Sequence, residues 1–182
     1  MTSNPSAVQR LSRWIRYGAF VFVGCVLAIY AIVWMWPEVS RGHVALAIHL
    51  AGAPLNALAT LSPGDRLLLA AVSLPYLAAL VWAFHRLARM LRQFERGLFF
   101  ERETVSDLRA FSGLLLLAKF LSLAAMHARA ALVVHLLGPQ RMHMINLSSD
   151  DLAILLLCAL FFAIAGMMEE GRRLAEENRG FV

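Results

Sequence analysis

One lysine stands in the middle of an apolar run, AFSGLLLLAKFLSLAAM, with Lys119 ten residues beyond Arg109. An ammonium near the centre of a lipid-embedded helix costs about 2.5 to 3.5 kcal/mol, so such residues mark proton, ion or substrate pathways, or else snorkel to the headgroups. Glu169 and Glu170 supply carboxylates within reach of the second reading. Further along the same run come His127, Arg129 and His135, with His43 and His49 in an earlier segment. Paired histidines can hold a metal or haem. His127 and His135, however, are about 80° from sharing a helix face and about 12 Å apart along the axis, so they cannot grip one ion. A haem needs two histidines at one depth on different helices, such as His49 and His127, and the ordinary interfacial histidine is the commoner case. Cys25 and Cys158 sit in apolar segments without a CxxC pair, as packing residues do. No nucleophile triad, metal-ligand set or phosphate loop stands out, so the expectation is a non-enzymatic protein without a cofactor.

The elements that position these residues follow from solvent. Of 182 residues 60% are hydrophobic and only 16% charged, and the mean hydropathy is +0.65, far more apolar than a water-soluble domain. Four uncharged or nearly uncharged runs each have the roughly 20 residues that cross hydrocarbon. They lie at about 17–36, 67–84, 110–133 and 152–168, and predict an all-α integral membrane four-helix bundle of one domain. Trp14, Tyr17, Trp34 and Trp36 bracket the first span as an aromatic belt. The stretch 38–65 is broken by Gly42, Gly52, Pro54, Pro63 and Gly64 and reads as a short outer interfacial segment. Pro75 should kink the second span, with Ser73 available to compensate.

The third helix is predicted over about 105–137. Thr104 and Asp107 before it read as a capping box with Asp in place of Glu. Ser148 or Ser149 caps the fourth span, with Asp150 and Asp151 at the positive helix end. Beyond it, Glu169 with Arg173, Arg172 with Glu176 and Arg173 with Glu177 at i,i+4 predict a helical extension into the cytoplasm. Small-residue pairs, Gly24 with Ala28 and Ala159 with Ala163, fit close helix packing inside the bundle; the alternative is a homo-oligomer interface.

Charge sets orientation. Arg10, Arg13 and Arg16, six arginines from Arg86 to Arg109, and Arg172, Arg173 and Arg179 make twelve at the ends and central loop, against Arg41, Arg66, Arg129 and Arg141 in the other two connections. The positive-inside rule places both termini and the central loop in the cytoplasm. The same rule accounts for the net charge of +5 without direct nucleic-acid binding.

Three stretches carry a family resemblance: LSPGDRLLLA, RGLFFERETVSDLRAF and RRLAEENRGFV. With Gly97, Phe100, Glu103, Val105 and Leu108, and with Glu177, Asn178 and Val182 at the end, the chain resembles the uncharacterised bacterial membrane proteins grouped as domain of unknown function 2975 (DUF2975). The resemblance covers most of the chain. It departs at Thr104, where Asn is frequent, and Lys119 and the His127 to His135 cluster have no counterpart in it. It implies a four-span bacterial inner-membrane protein. Some relatives are encoded beside small helix-turn-helix regulators, which implies a cytoplasmic regulatory protein as partner.

The leading expectation is therefore a membrane protein whose cytoplasmic face, built from Gly97, Phe100, Glu103 and Thr104 of the loop and Arg172, Arg173, Glu176, Glu177 and Asn178 of the tail, docks a partner or clasps itself. The alternatives are a small transporter or proton-coupled channel using Lys119, and a haem-binding electron carrier.

Overall fold

In a computed structural model the described residues are 7–35, 61–98, 101–137 and 149–179, and all their regular structure is α-helical. Five helices follow one another: α1 (Ala7–Met35), α2 (Pro63–Ala71), α3 (Leu74–Glu95), α4 (Arg102–Leu137) and α5 (Ser149–Arg179). Three segments, Gln9–Met35, Arg102–Leu136 and Leu152–Leu174, are long and apolar enough to cross a membrane, and α2 with α3 makes a fourth if the bent pair counts as one span. His43, His49, Trp36, Phe100 and the interfacial segment as far as residue 60 lie outside the described residues, as does the cap at Ser148, and the side chains of Ser149, Asp150, Asp151, Glu176 and Asn178 are likewise undescribed.

The second span departs from the expected single kinked helix. It is two helices, bent by 45°, and the break falls at Val72–Ser73, ahead of the proline. The reason is steric. A proline ring clashes with the carbonyl four residues back, which for Pro75 is Ala71, the last residue of α2. Pro75 thus sits in the first turn of α3, where its missing N–H is no loss. The helix also starts earlier than Leu67. Ser62 Oγ accepts from the Asp65 N–H at 3.2 Å and donates to Asp65 Oδ2 at 2.7 Å. Pro63 follows as the first helical residue, so the Pro-Gly pair read as loop is the opening turn.

Helix α4 likewise begins before Thr104, at Arg102, with the Glu101 carbonyl accepting from Val105 N–H at 3.2 Å. The Thr104–Asp107 capping box is not formed, because both side chains are used elsewhere.

Packing divides the chain into two compact units. One holds Met1–Val23, Ala79–Leu116 and Ser149–Val182; the other holds Gly24–Ala78 and Leu117–Ser148. The first has a core of Ala83, Met90, Leu91, Leu108, Phe111 and Ala165. Phe22, Phe84, Phe111 and Phe161 run through it as a chain of ring contacts with centroids 5.4 to 6.1 Å apart, edge-on or tilted as aromatic quadrupoles prefer. The second has a core of Tyr30, Val33, Trp34, Leu61, Leu69, Leu77 and Val133. Trp34 is thus a packed residue beside Tyr30, whereas Trp14 and Tyr17 are exposed.

The small residues in the first core are alanines, Ala83 and Ala165, each fully buried. The Gly24–Ala28 and Ala159–Ala163 pairs are exposed on their helices, and a Cβ at Gly24 would meet nothing within 4 Å, so among the described residues they do not close the bundle. Large apolar side chains such as Trp82, Phe120, Leu156 and Met167 are exposed as well, and only 11% of the crossing window of α5 is buried. An apolar surface of that extent is foreign to water-soluble monomers.

Candidate functional site

Two polar constellations interrupt this apolar background, one in each unit. The first is built on the facing ends of α3 and α4. On α3, Arg86, Arg89 and Gln93 fall at i, i+3 and i+7, one stripe of the helix; on α4, Thr104 and Asp107 fall at i, i+3. The turn between them is fixed by Gly97, whose φ of 80° lies in the left-handed region that costs side-chain-bearing residues about 1–2 kcal/mol. The N–H of Gly97 bonds to the Phe94 carbonyl and that of Leu98 to the Gln93 carbonyl, each at 3.0 Å, which closes the end of α3 as a glycine C-cap does.

With the turn fixed, the side chains interlock. Thr104 is fully buried, and its Oγ1 lies 2.8 Å from the Leu98 carbonyl oxygen and 2.5 Å from Gln93 Oε1. One hydroxyl proton is shared between two acceptors. Gln93 Nε2 in turn donates to Glu103 Oε2 at 3.2 Å. One turn deeper, Asp107 is 1% exposed. Its Oδ1 accepts from Arg86 Nη1 at 3.0 Å, and its Oδ2 lies 3.3 Å from Arg89 Nε. A buried carboxylate needs such compensation, and two arginines on one stripe provide it. Arg86, Arg89, Arg102, Glu103, Ser106 and Asp107 line an open cleft of about 250 Å³. In the same unit Arg16 of α1 pairs with Glu95 of α3 at 3.3 Å.

The tail adds its own charges. Glu169 pairs with Arg172 at 2.7 Å and not with Arg173, which bonds Glu170 at 3.1 Å and Glu177 at 3.4 Å. Of the expected i,i+4 pairs, Arg173–Glu177 is present, and the glutamates at 169 and 170 adopt i,i+3 partners instead. The hydrogen bond from Arg172 holds the Glu169 carboxyl below the usual carboxylate range, with the charges of Arg172, Arg109 and Arg102 acting in the same sense. Loop and tail are thus electrostatic neighbours through Glu169.

The second constellation surrounds the break between α2 and α3. Arg129 of α4, expected with Lys119 and His127 as a candidate intramembrane polar residue, is 3% exposed. Its Nη1 donates to Ser73 Oγ at 2.7 Å, and the phenols of Tyr30 and Tyr76 are its electrostatic neighbours. Tyr30 donates its hydroxyl proton at 2.7 Å to the Ala70 carbonyl, which also accepts from the Ser73 N–H at 3.0 Å where α2 stops. Ser73 is fully buried and its own carbonyl accepts from Leu77 N–H at 3.1 Å. Lys119 is half-buried, and His127 and His135 are exposed on α4. Among the described residues no three His, Cys, Asp or Glu side chains gather in the manner of a metal site.

Asp107 as an anchor, Gln93, Ser73 and Tyr30 were not singled out by sequence reasoning as site residues. The available signal was the pair of polar stripes flanking one short turn. No family model, curated protein or solved structure matches the chain.

Proposed function

We propose that this is a non-enzymatic, four-span protein of the bacterial inner membrane, with both termini and the turn around Gly97 in the cytoplasm, whose cytoplasmic face docks a regulatory protein. The membership in domain of unknown function 2975 suggested by the three motif stretches is part of the same proposal. Two features support the topology. The arginine asymmetry stands at twelve against three once Arg129 is counted as buried rather than as part of an outer connection, and α2 with α3 supplies a fourth crossing.

The observation that carries the docking reading is the built character of the turn. Gly97, Gln93 and Thr104 tie the end of α3, through Leu98, to the first turn of α4, and a preorganised surface loses less on association than a floppy one. Glu95 is eleven residues past Phe84, so the turn projects about 16 Å beyond the hydrocarbon edge, past the headgroups and into reach of a soluble partner.

The test is site-specific photocrosslinking in native membranes from Arg96 and Arg173, with Trp82 as a lipid-facing control. One protein adduct shared by the first two positions and absent from the third supports docking. Adducts to lipid or to the chain itself alone reject it in favour of an internal clasp.

A second reading, transport, is favoured by one observation. The buried Arg129 meets a discontinuous span at Ser73, and broken helices beside buried charge are where transporters place their substrates. Of the candidate intramembrane residues Lys119, His127 and Arg129, transport was expected to use Lys119; the buried position of Arg129 at the break favours Arg129. Ion or proton flux in reconstituted vesicles that vanishes in R129Q and persists in K119M would select this reading.

A further inference from the structure

We infer that the cleft between α3 and α4 is a binding site for a phosphate group, filled by the headgroup of an anionic phospholipid of the inner leaflet. The inference rests on the proposed four-span reading for the depth of the cleft and for the choice of leaflet.

The lining is cationic on balance, with the guanidinium groups of Arg86, Arg89 and Arg102 against the carboxylates of Glu103 and Asp107, and Ser106 adding a hydroxyl. The carboxylates are already engaged. Asp107 is nearly fully buried, with Oδ1 hydrogen-bonded to Arg86 and Oδ2 3.3 Å from Arg89 Nε as a charge contact without a hydrogen bond, and Glu103 takes the Gln93 amide. Asp107 therefore positions the two arginines and does not compete for a cation of its own. Arg86 commits Nη1 to its hydrogen bond with Asp107 and Arg89 is held beside the same carboxylate by charge alone, while the two side chains are 30% and 44% exposed. Each guanidinium carries five donors, so most of the fork on each remains to face the cleft. Arg102 enters no ion pair among the described residues and stands in the first turn of α4, where the helix dipole adds positive potential. Glu169 approaches Arg102 and Arg109 from the tail and pairs with Arg172.

Size and depth choose the ligand. A cleft of about 250 Å³ is smaller than the roughly 300–1,000 Å³ of drug-sized ligand sites and suits a headgroup. Arg86 and Arg89 come two and five residues after Phe84, so they lie about 3 and 8 Å beyond the hydrocarbon edge, within or just past the headgroup layer of about 5–8 Å. Basic clefts between helices at this depth are where anionic headgroups bind.

The test uses the full chain in a neutral detergent. Short-chain phosphatidylglycerol, diacylglycerol with the same chains, and inorganic phosphate are titrated separately, with retained lipid counted by native mass spectrometry. Saturable retention of phosphatidylglycerol, no retention of diacylglycerol, about fivefold weaker binding in R102Q and little change in R102K or in the tail variant R173Q are expected. Failure of inorganic phosphate to displace the lipid identifies the headgroup as the ligand, and displacement identifies a free phosphate compound at the same site. Equal retention of diacylglycerol, unchanged binding in R102Q, or an equal loss in R173Q overturns the inference. Because the readout is in detergent, a reversed topology or an absent protein partner leaves it unaffected.

Discussion

Arg129 donates from Nη1 to the hydroxyl oxygen of Ser73 at 2.7 Å, joining α4 to the break between α2 and α3 across 56 residues of sequence. Both side chains are buried, so the bond is made where water cannot substitute for it. Ser73→Ala is expected to lower stability by about 1–3 kcal/mol, the desolvation cost of a buried donor deprived of its acceptor. Ser73→Thr, which keeps the hydroxyl, should lose less. Thermal unfolding of both variants in one detergent decides it; equal losses would show that volume at position 73 matters and the bond does not.

Asp107→Ala leaves Arg86 and Arg89 without their shared carboxylate. Breaking a fully buried pair costs about 3–5 kcal/mol, but Arg89 is more than one-third exposed and solvent screens part of the loss. The expected destabilisation is about 2 kcal/mol, with a smaller effect for Asp107→Asn. An unfolding midpoint for the alanine variant indistinguishable from wild type contradicts the anchoring role.

Gly97→Ala isolates backbone conformation, because a Cβ there meets nothing within 4 Å. The expected cost is about 1–2 kcal/mol from the positive φ alone, and Gly97→Asn should recover part of it, since Asn tolerates that region. Hydrogen exchange at the turn should quicken in the alanine variant and less so in the asparagine one.

Glu169 gives a pH dependence with a definite sign. Its carboxyl is held down in the folded chain, first by the Arg172 hydrogen bond, so its contribution is complete above the ordinary carboxylate range. That contribution is lost as pH falls through the depressed folded value. Arg172→Gln should move the acid loss of helicity at the end of α5 to higher pH. Coincident acid titrations of the two proteins would rule this out.

The helices long and apolar enough to cross a membrane were legible because hydropathy and length suffice to find them. The break in the second span was only half legible. Pro75 announced a distortion, but placing it at Val72–Ser73 requires carrying the proline clash back to Ala71. Arg129 was illegible as a buried group, because α4 is apolar nearly all round and no periodicity says which side of it faces inward. Asp107 was misread for a related reason. Its neighbourhood in sequence suggests a cap, and its actual partners lie 18 and 21 residues away on another helix. The stripe formed by Arg86, Arg89 and Gln93 was the one local sign that α3 had something polar to face.

The interruption at Val72 also changes the electrostatics of the apolar interior. An unbroken helix would carry its partial charges to its two extremities, whereas cutting it sets the last carbonyls of α2 against the first N–H groups of α3, with Ser73 between them. The two poles are of opposite sign and offset one another, so the break offers Arg129 a local acceptor in the Ser73 hydroxyl and no net helix charge. A continuous helix would bond those backbone groups to each other and leave the apolar interior without a peptide dipole of either sign.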